Sequence, residues 1–126
     1  MSYNIPQPNQ VFQVSNFDGT TLNNSKGIFK VPSGVRFYAS AIIFELTSVA
    51  DFVDVPSISL GSESSYNDIL PATALTGVST ANNILQFTLK DVISRIASGT
   101  DIGVKVTTAA SATTYTLKCI LLGALA

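Results

Sequence analysis

Asp51 and Asp54 stand three residues apart, and Asp68 follows Asn67, so these are the side chains best placed to hold a hard cation. Calcium takes about six to eight oxygen ligands from a compact loop. Two acids separated by Phe52 and Val53 and followed by Pro56 fall short of that, and they read as acidic loop residues in solvent. A carboxylate pair could also serve glycoside hydrolysis. That chemistry keeps company with aromatic platforms for the sugar ring, yet the chain has no Trp and its acids show no other grouping. Serines are abundant, but no Gly-x-Ser-x-Gly elbow occurs and there is no His to take a proton. The lone Cys119 lies in an alternating apolar run, Tyr115 to Leu121, and reads as a buried thiol with no base beside it. Absence of His removes both the usual general base at neutral pH and the commonest metal ligand. The expectation is no catalytic residue, no cofactor and no metal.

Four tyrosines remain as a recognition chemistry: Tyr3, Tyr38, Tyr66 and Tyr115. Pattern places Tyr115 in a core and Tyr38 on a strand that is apolar on both sides. Tyr3 and Tyr66 are left as candidates for a sugar-binding face, a weak carbohydrate-module signal.

The rest of the composition points to a sheet body. Of 126 residues, 28 are Ser or Thr, 15 carry a charge and the net charge is −1. No basic stripe exists for phosphate contacts, which predicts no nucleic-acid partner. The segment Met1 to Pro6 lacks a basic region followed by an apolar stretch, and no apolar run approaches the 18 or so residues of a membrane helix. The expectation is therefore a protein without a membrane partner, made in a cytoplasm and kept there or released by lysis. A chain of this length buries about two thirds of its unfolded surface and needs no disulfide.

Alternation then sets the elements. Val11–Val14 reads as a short strand, Asn16–Thr20 as a turn on Asp-Gly, and Asn23–Gly27 as a second turn before Ile28–Val31. Pro32-Ser33-Gly34 is a tight turn. Ile58 and Leu60 point inward from Ser57–Gly61, and Leu85, Phe87 and Leu89 alternate with Gln86 and Thr88. Helical turns are predicted around Tyr66–Leu70 and across Leu89, Val92, Ile93 and Ile96, while 71–83 reads as an irregular excursion. Ile102, Val104 and Val106 point inward on the next strand, Ala109–Ala112 reads as a hairpin turn, and the return strand buries Tyr115, Leu117, Cys119 and Leu121. The fold class is all-β: a single β-sandwich or jelly roll over 11–126 with short helical turns, preceded by an extended arm at 1–10.

Three features lack a cover. In Val35–Thr47, Phe37, Ala39, Ala41 and Ile43 alternate with Tyr38, Ile42, Phe44 and Leu46, so both faces are apolar. Either a bulge near Ala41 switches faces or a neighbouring subunit covers the second one. From Ile120 onward the polar alternation vanishes, leaving Ile120, Leu122 and Leu125 as an apolar tail. In the arm, Pro6 and Pro8 favour extended backbone, with Tyr3 and Ile5 as its large apolar groups. The candidate subunit-interface residues are Tyr3, Ile5, Tyr38, Ile42, Phe44, Leu122 and Leu125.

The segment Val31-Pro32-Ser33-Gly34-Val35, the long strand to Thr47, Pro56–Gly61, Ser65–Leu70 and the closing pair Ile102–Val106 and Tyr115–Leu122 carry a resemblance over roughly residues 28–122. They resemble small virion structural proteins of tailed bacteriophages, β-sandwich or jelly-roll chains that decorate capsids or build tails and fibres. The resemblance implies a non-enzymatic capsid decoration or cement protein on the virion surface, made in the host cytoplasm. It implies the major capsid protein or other virion proteins as partners and a homotrimer as the unit. A tail, baseplate or fibre component is the alternative it leaves open, with a carbohydrate-binding module more distant.

Overall fold

Alternating apolar residues give nine strands among the described residues, which are 10–63, 65–89 and 95–126 of a computed structural model. They are β1 (Gln10–Asp18), β2 (Ser25–Lys30), β3 (Phe37–Ala50), β4 (Ser57–Ser62), β5 (Leu70–Ala74), β6 (Ile84–Thr88), β7 (Arg95–Ile96), β8 (Asp101–Thr108) and β9 (Thr114–Leu125). Residues 1–9 of the predicted arm, with Tyr3 and Ile5, lie outside the described residues, and its last residue, Gln10, opens β1.

The strands form two antiparallel sheets, one ordered β1-β9-β3-β6 with β7 also pairing β3, the other β2-β8-β4-β5. Beneath that order is a nested set of pairs. β1 bonds β9, β2 bonds β8, β3 bonds β6 and β4 bonds β5. This is one long antiparallel ribbon rolled so that successive pairs fall in opposite sheets, the jelly-roll arrangement. Rolling closes it through β9 against β3 and β8 against β4.

The core lies between the sheets. Ile42, Phe44, Leu46, Leu117, Cys119 and Leu121 from one sheet face Ile58, Leu60, Ile102, Val104 and Val106 from the other, all fully buried. Each such side chain contributes roughly 1.5–3 kcal/mol through burial. At one end, Phe12 of β1 stacks on Phe29 of β2 at 3.7 Å, and Phe37 of β3 meets both rings edge-on at 5.7 and 5.3 Å. At the other, the buried Tyr115 donates its hydroxyl proton to the Val78 carbonyl.

Inward positions on β4, β8 and β9 agree with the sequence reading; several connections differ. No helix occurs among the described residues. Ser65 to Ile69 is irregular and Leu70 opens β5, while Leu89 and Ile96 are both buried and Ile96 belongs to the two-residue β7. Residues 90–94 of the second predicted helical turn lie outside the described residues. The excursion predicted over 71–83 contains most of β5 and sends Leu75 and Val78 into the core. Its Pro71 and small residues hide a strand that survives only at a sheet edge, where a missing N–H is tolerated. Ala109–Ala112 is not a hairpin turn, because β8 and β9 belong to different sheets. The segment crosses the end of the sandwich, Ala110 N donating to Gly19 O at 2.8 Å and Val53 N to Ser111 O at 2.7 Å. β1 runs on past Val14 through a register shift, with Asn16 in the left-handed region at φ 58°.

Candidate functional site

The doubly apolar strand resolves through its bulge. Register slips between Ala39 and Ala41, so Phe37 and Ala39 before it and Ile42, Phe44 and Leu46 after it all face the core. Ile42 and Phe44 are therefore enclosed by the chain's own two sheets and are not available to another subunit, a correction to their assignment as interface residues. Leu125 pairs with Phe37 and packs against the core but is only half-buried. Tyr38 and Leu122 do face outward, with Tyr38 37% exposed.

Those two belong to an apolar stripe on the outer face of the five-stranded sheet. Val11 of β1 lies beside Leu122 of β9, which lies beside Ala41 of β3. In the next row Gln13, Ile120, Ile43 and Gln86 stand abreast, and Ala124 neighbours Tyr38 at the other side. Charge enters where Lys118 opposes Glu45, beside Ile84 of β6, in the following row where Asp18 of β1 pairs with Thr116, and at the far end where Arg95 of β7 pairs with Tyr38. The two large side chains left most open here, Val11 at 60% and Ile84 at 62%, lie on opposite edge strands.

The outer face of the four-stranded sheet is built differently. Gly27 of β2 pairs with Gly103 of β8, which pairs with Gly61 of β4, so three glycines lie in one row across three adjacent strands. The connection from Ser62 to Ile69 folds back onto that row. A Cβ on Gly103 would stand 2.9 Å from Cε1 of Tyr66, and one on Gly61 would stand 2.5 Å from the backbone nitrogens of Asn67 and Asp68. Only a bare backbone lets the loop lie this close. Ser62 N donates to Asp68 Oδ1 at 2.6 Å, Ser62 Oγ donates to the other oxygen, and Tyr66 N donates to Ser62 O at 2.9 Å. Ile69 N reaches Leu60 O at 3.1 Å and Glu63 N reaches Asp101 O at 2.9 Å, tying both ends down. Burial, then the nearby Glu63 and Asp101 charges, raise the Tyr66 phenol above its ordinary pKa. A hydrogen bond with Asp101, then its charge, raises the Glu63 carboxyl. Tyr66, a candidate for a sugar platform, thus lies half-buried on the chain's own sheet.

The acids considered for a cation are each engaged locally and apart. Asp51 Oδ2 accepts from Thr113 Oγ1 at 2.9 Å, Asp54 Oδ1 accepts from Val55 N at 2.9 Å, and Asp68 holds Ser62. Among the described residues no cluster of three or more His, Cys, Asp or Glu side chains is assembled. Burial pushes the Cys119 thiol far above its ordinary pKa, with Lys26 opposing only weakly. The sequence missed the glycine row. Alternation alone sets Gly103 outward, but only strand pairing aligns it with Gly27 and Gly61.

No protein-family model and no curated protein matches the chain. Solved structures do. A chain in the cyanophage Pam1 capsid asymmetric unit superposes with a TM-score of 0.63 at 11% identity, covering 98% of this chain and 89% of that one. A chain in the acid-stable capsid structure of Helicobacter pylori bacteriophage KHP30 gives 0.64 at 15% identity, covering 95% and 90%. One from the capsid of Ralstonia phage GP4 gives 0.64 at 12% identity, covering 98% and 88%. At these identities the likeness is one of fold, and it extends over nearly the whole length of every chain involved: the jelly roll described above is shared with small chains of three phage capsids.

Proposed function

We propose that this chain is a structural protein of a tailed-bacteriophage virion and that it decorates the capsid, binding the assembled shell as a homotrimer and reinforcing it. The observation that carries the reading is the whole-length match of fold to chains of similar size in three phage capsid structures. The surface supports it as well. Ser and Thr are many and Lys and Glu few, which lowers the desolvation and side-chain entropy costs of burial in repeated contacts. A shell offers many copies of one site, so a trimer engages three at once and modest contacts sum.

Sedimenting purified phage heads with the full chain tests this directly. Saturable binding in a fixed ratio to the shell protein, with heads surviving higher temperature, is the expected result. Recovery of the chain with tails or fibres and none with heads would transfer the reading to a tail, baseplate or fibre component.

A further inference from the structure

The two outer faces of the sandwich differ in what lies over them. Loop 62–69 is pinned onto the four-stranded sheet by five hydrogen bonds that begin or end within it or at its anchors. The five-stranded sheet carries the more apolar face, and no described loop is hydrogen-bonded across it in that way. Its stripe of Val11, Leu122, Ala41, Ile120 and Ile43 is continuous across β1, β9 and β3.

Size selects the occupant. Four strands about 4.8 Å apart and five residues deep at about 3.4 Å each give a patch of roughly 300 Å². A stable interface needs about 800 Å² per partner, so two such faces packed together would be undersized. A short extended segment fits better, and the chain holds one. Residues 1–9 precede Gln10, which enters the edge strand β1 opposite Gly123, one position from the Val11–Leu122 pair. That segment carries no charged side chain, and its two large apolar groups, Tyr3 and Ile5, are spaced two apart. In extended backbone such residues share one face. Ile5 and Gln7 each precede a proline, which biases both away from the helical region and toward extended backbone. Nine extended residues span at most about 30 Å, enough to reach an adjoining molecule.

We infer that the outer face of the five-stranded sheet is the surface where copies of this chain meet, and that residues 1–9 of one copy cover the Val11–Leu122–Ile120–Ile43 stripe of the next through Tyr3 and Ile5. This deepens the reading of a homo-oligomeric virion protein and rests on its oligomeric part alone, so it is tested on the free protein without capsids.

Tyr3→Cys and Leu122→Cys chains, otherwise full length, are co-expressed, purified and treated with a short bismaleimide. Cys119 is buried and stays out of the reaction. The expected product is a covalent dimer that neither single variant forms by itself. The double variant in one chain separates the alternatives: covalently linked oligomers support the inference, whereas a monomer linked within itself means the segment covers its own sheet and overturns it. Absence of any cross-link overturns it too. A second variant, Tyr3→Ser with Ile5→Ser, should raise the concentration needed for self-association at least tenfold by light scattering; unchanged association counts against the inference. Failure of capsid binding with the cross-link intact would instead remove the decoration role and leave this interface standing.

Discussion

The two outer faces of this sandwich show opposite ways of finishing a sheet. On the four-stranded sheet, side chains are removed: three aligned glycines make a bed, and the chain's own loop fills it with Tyr66 and the Asn67–Asp68 backbone. On the five-stranded sheet, apolar side chains are kept: Val11, Ile120, Leu122 and Ile43 stand in rows. A glycine bed accepts one close-fitting occupant at fixed register. An apolar stripe accepts any surface of matching shape. The first solution belongs to folding and the second to association, so substitutions on the two faces should separate stability from assembly.

The largest effect is expected on the glycine face. Gly61→Val drives a side chain into the Asn67 and Asp68 backbone, which cannot yield as a flexible side chain would. The loop must lift, at a cost of about 1–3 kcal/mol or somewhat more. Calorimetry should show the melting point falling by several degrees, and limited proteolysis should cut within 62–69. Tyr66→Phe keeps the ring over Gly103 and should melt like the parent. An unchanged melting point for Gly61→Val would mean that the loop is not held by the bed, and the contrast between the faces collapses.

Val11→Lys sharpens the other side. Val11 is 60% exposed on an edge strand, so its replacement should alter the chain's own unfolding by no more than about 0.5 kcal/mol in a urea titration. The same change places a charge on the stripe and should abolish self-association measured by light scattering. Large destabilisation with association intact would reverse the roles assigned to the two faces.

The smallest expected effect is in pH, and it has opposite signs in the two sheets. Asp18, at the end of β1, is held below its ordinary pKa chiefly by hydrogen bonds from the Thr20 hydroxyl and backbone N–H. A depressed folded pKa gives stability that is present above the unfolded pKa near 3.9 and is lost as pH falls through the folded value. Glu63, above the four-stranded sheet, is raised by Asp101, so its contribution is present below its unfolded pKa and is lost as pH rises through the folded one. Melting curves from pH 2 to 6 should show Asp18→Asn flattening the acid-side loss and Glu63→Gln removing a weak loss toward pH 6. Glu63 is exposed and Asp18 is half-buried at the surface, so each shift should be a small fraction of the total and shrink in salt.

Much of this was legible in the residues because the information is local. Period-two alternation in Ile102–Val106 and Tyr115–Leu121 fixes which side chains face inward, since a one-residue slip would put every one of them in water. The same logic flagged the break in β3 and offered a bulge as one of its two explanations. What failed was non-local. The run 109–112 has the length and composition of a hairpin turn, yet it spans two sheets, because a strand's inward pattern does not name its neighbour. Pro71–Ala74 looks like a loop because an edge strand packs one partner and needs little apolar area. Phe44 looked free for a subunit contact because half of its strand's apolar residues were counted on the wrong side of the bulge.

The all-β class, the inward faces of the long strands, the burial of Cys119, and the turn at Pro32-Ser33-Gly34, where Gly34 takes φ 84°, are all readable from the residues in order. These follow from side-chain period and backbone sterics within a few residues. The nested order of the strands, the alignment of Gly27, Gly103 and Gly61, and the set of apolar residues left outside emerge with the assembled fold. Those depend on pairing between segments far apart in the chain, such as β1 with β9, and register at that distance is set by closure of the whole roll rather than by any stretch of residues alone.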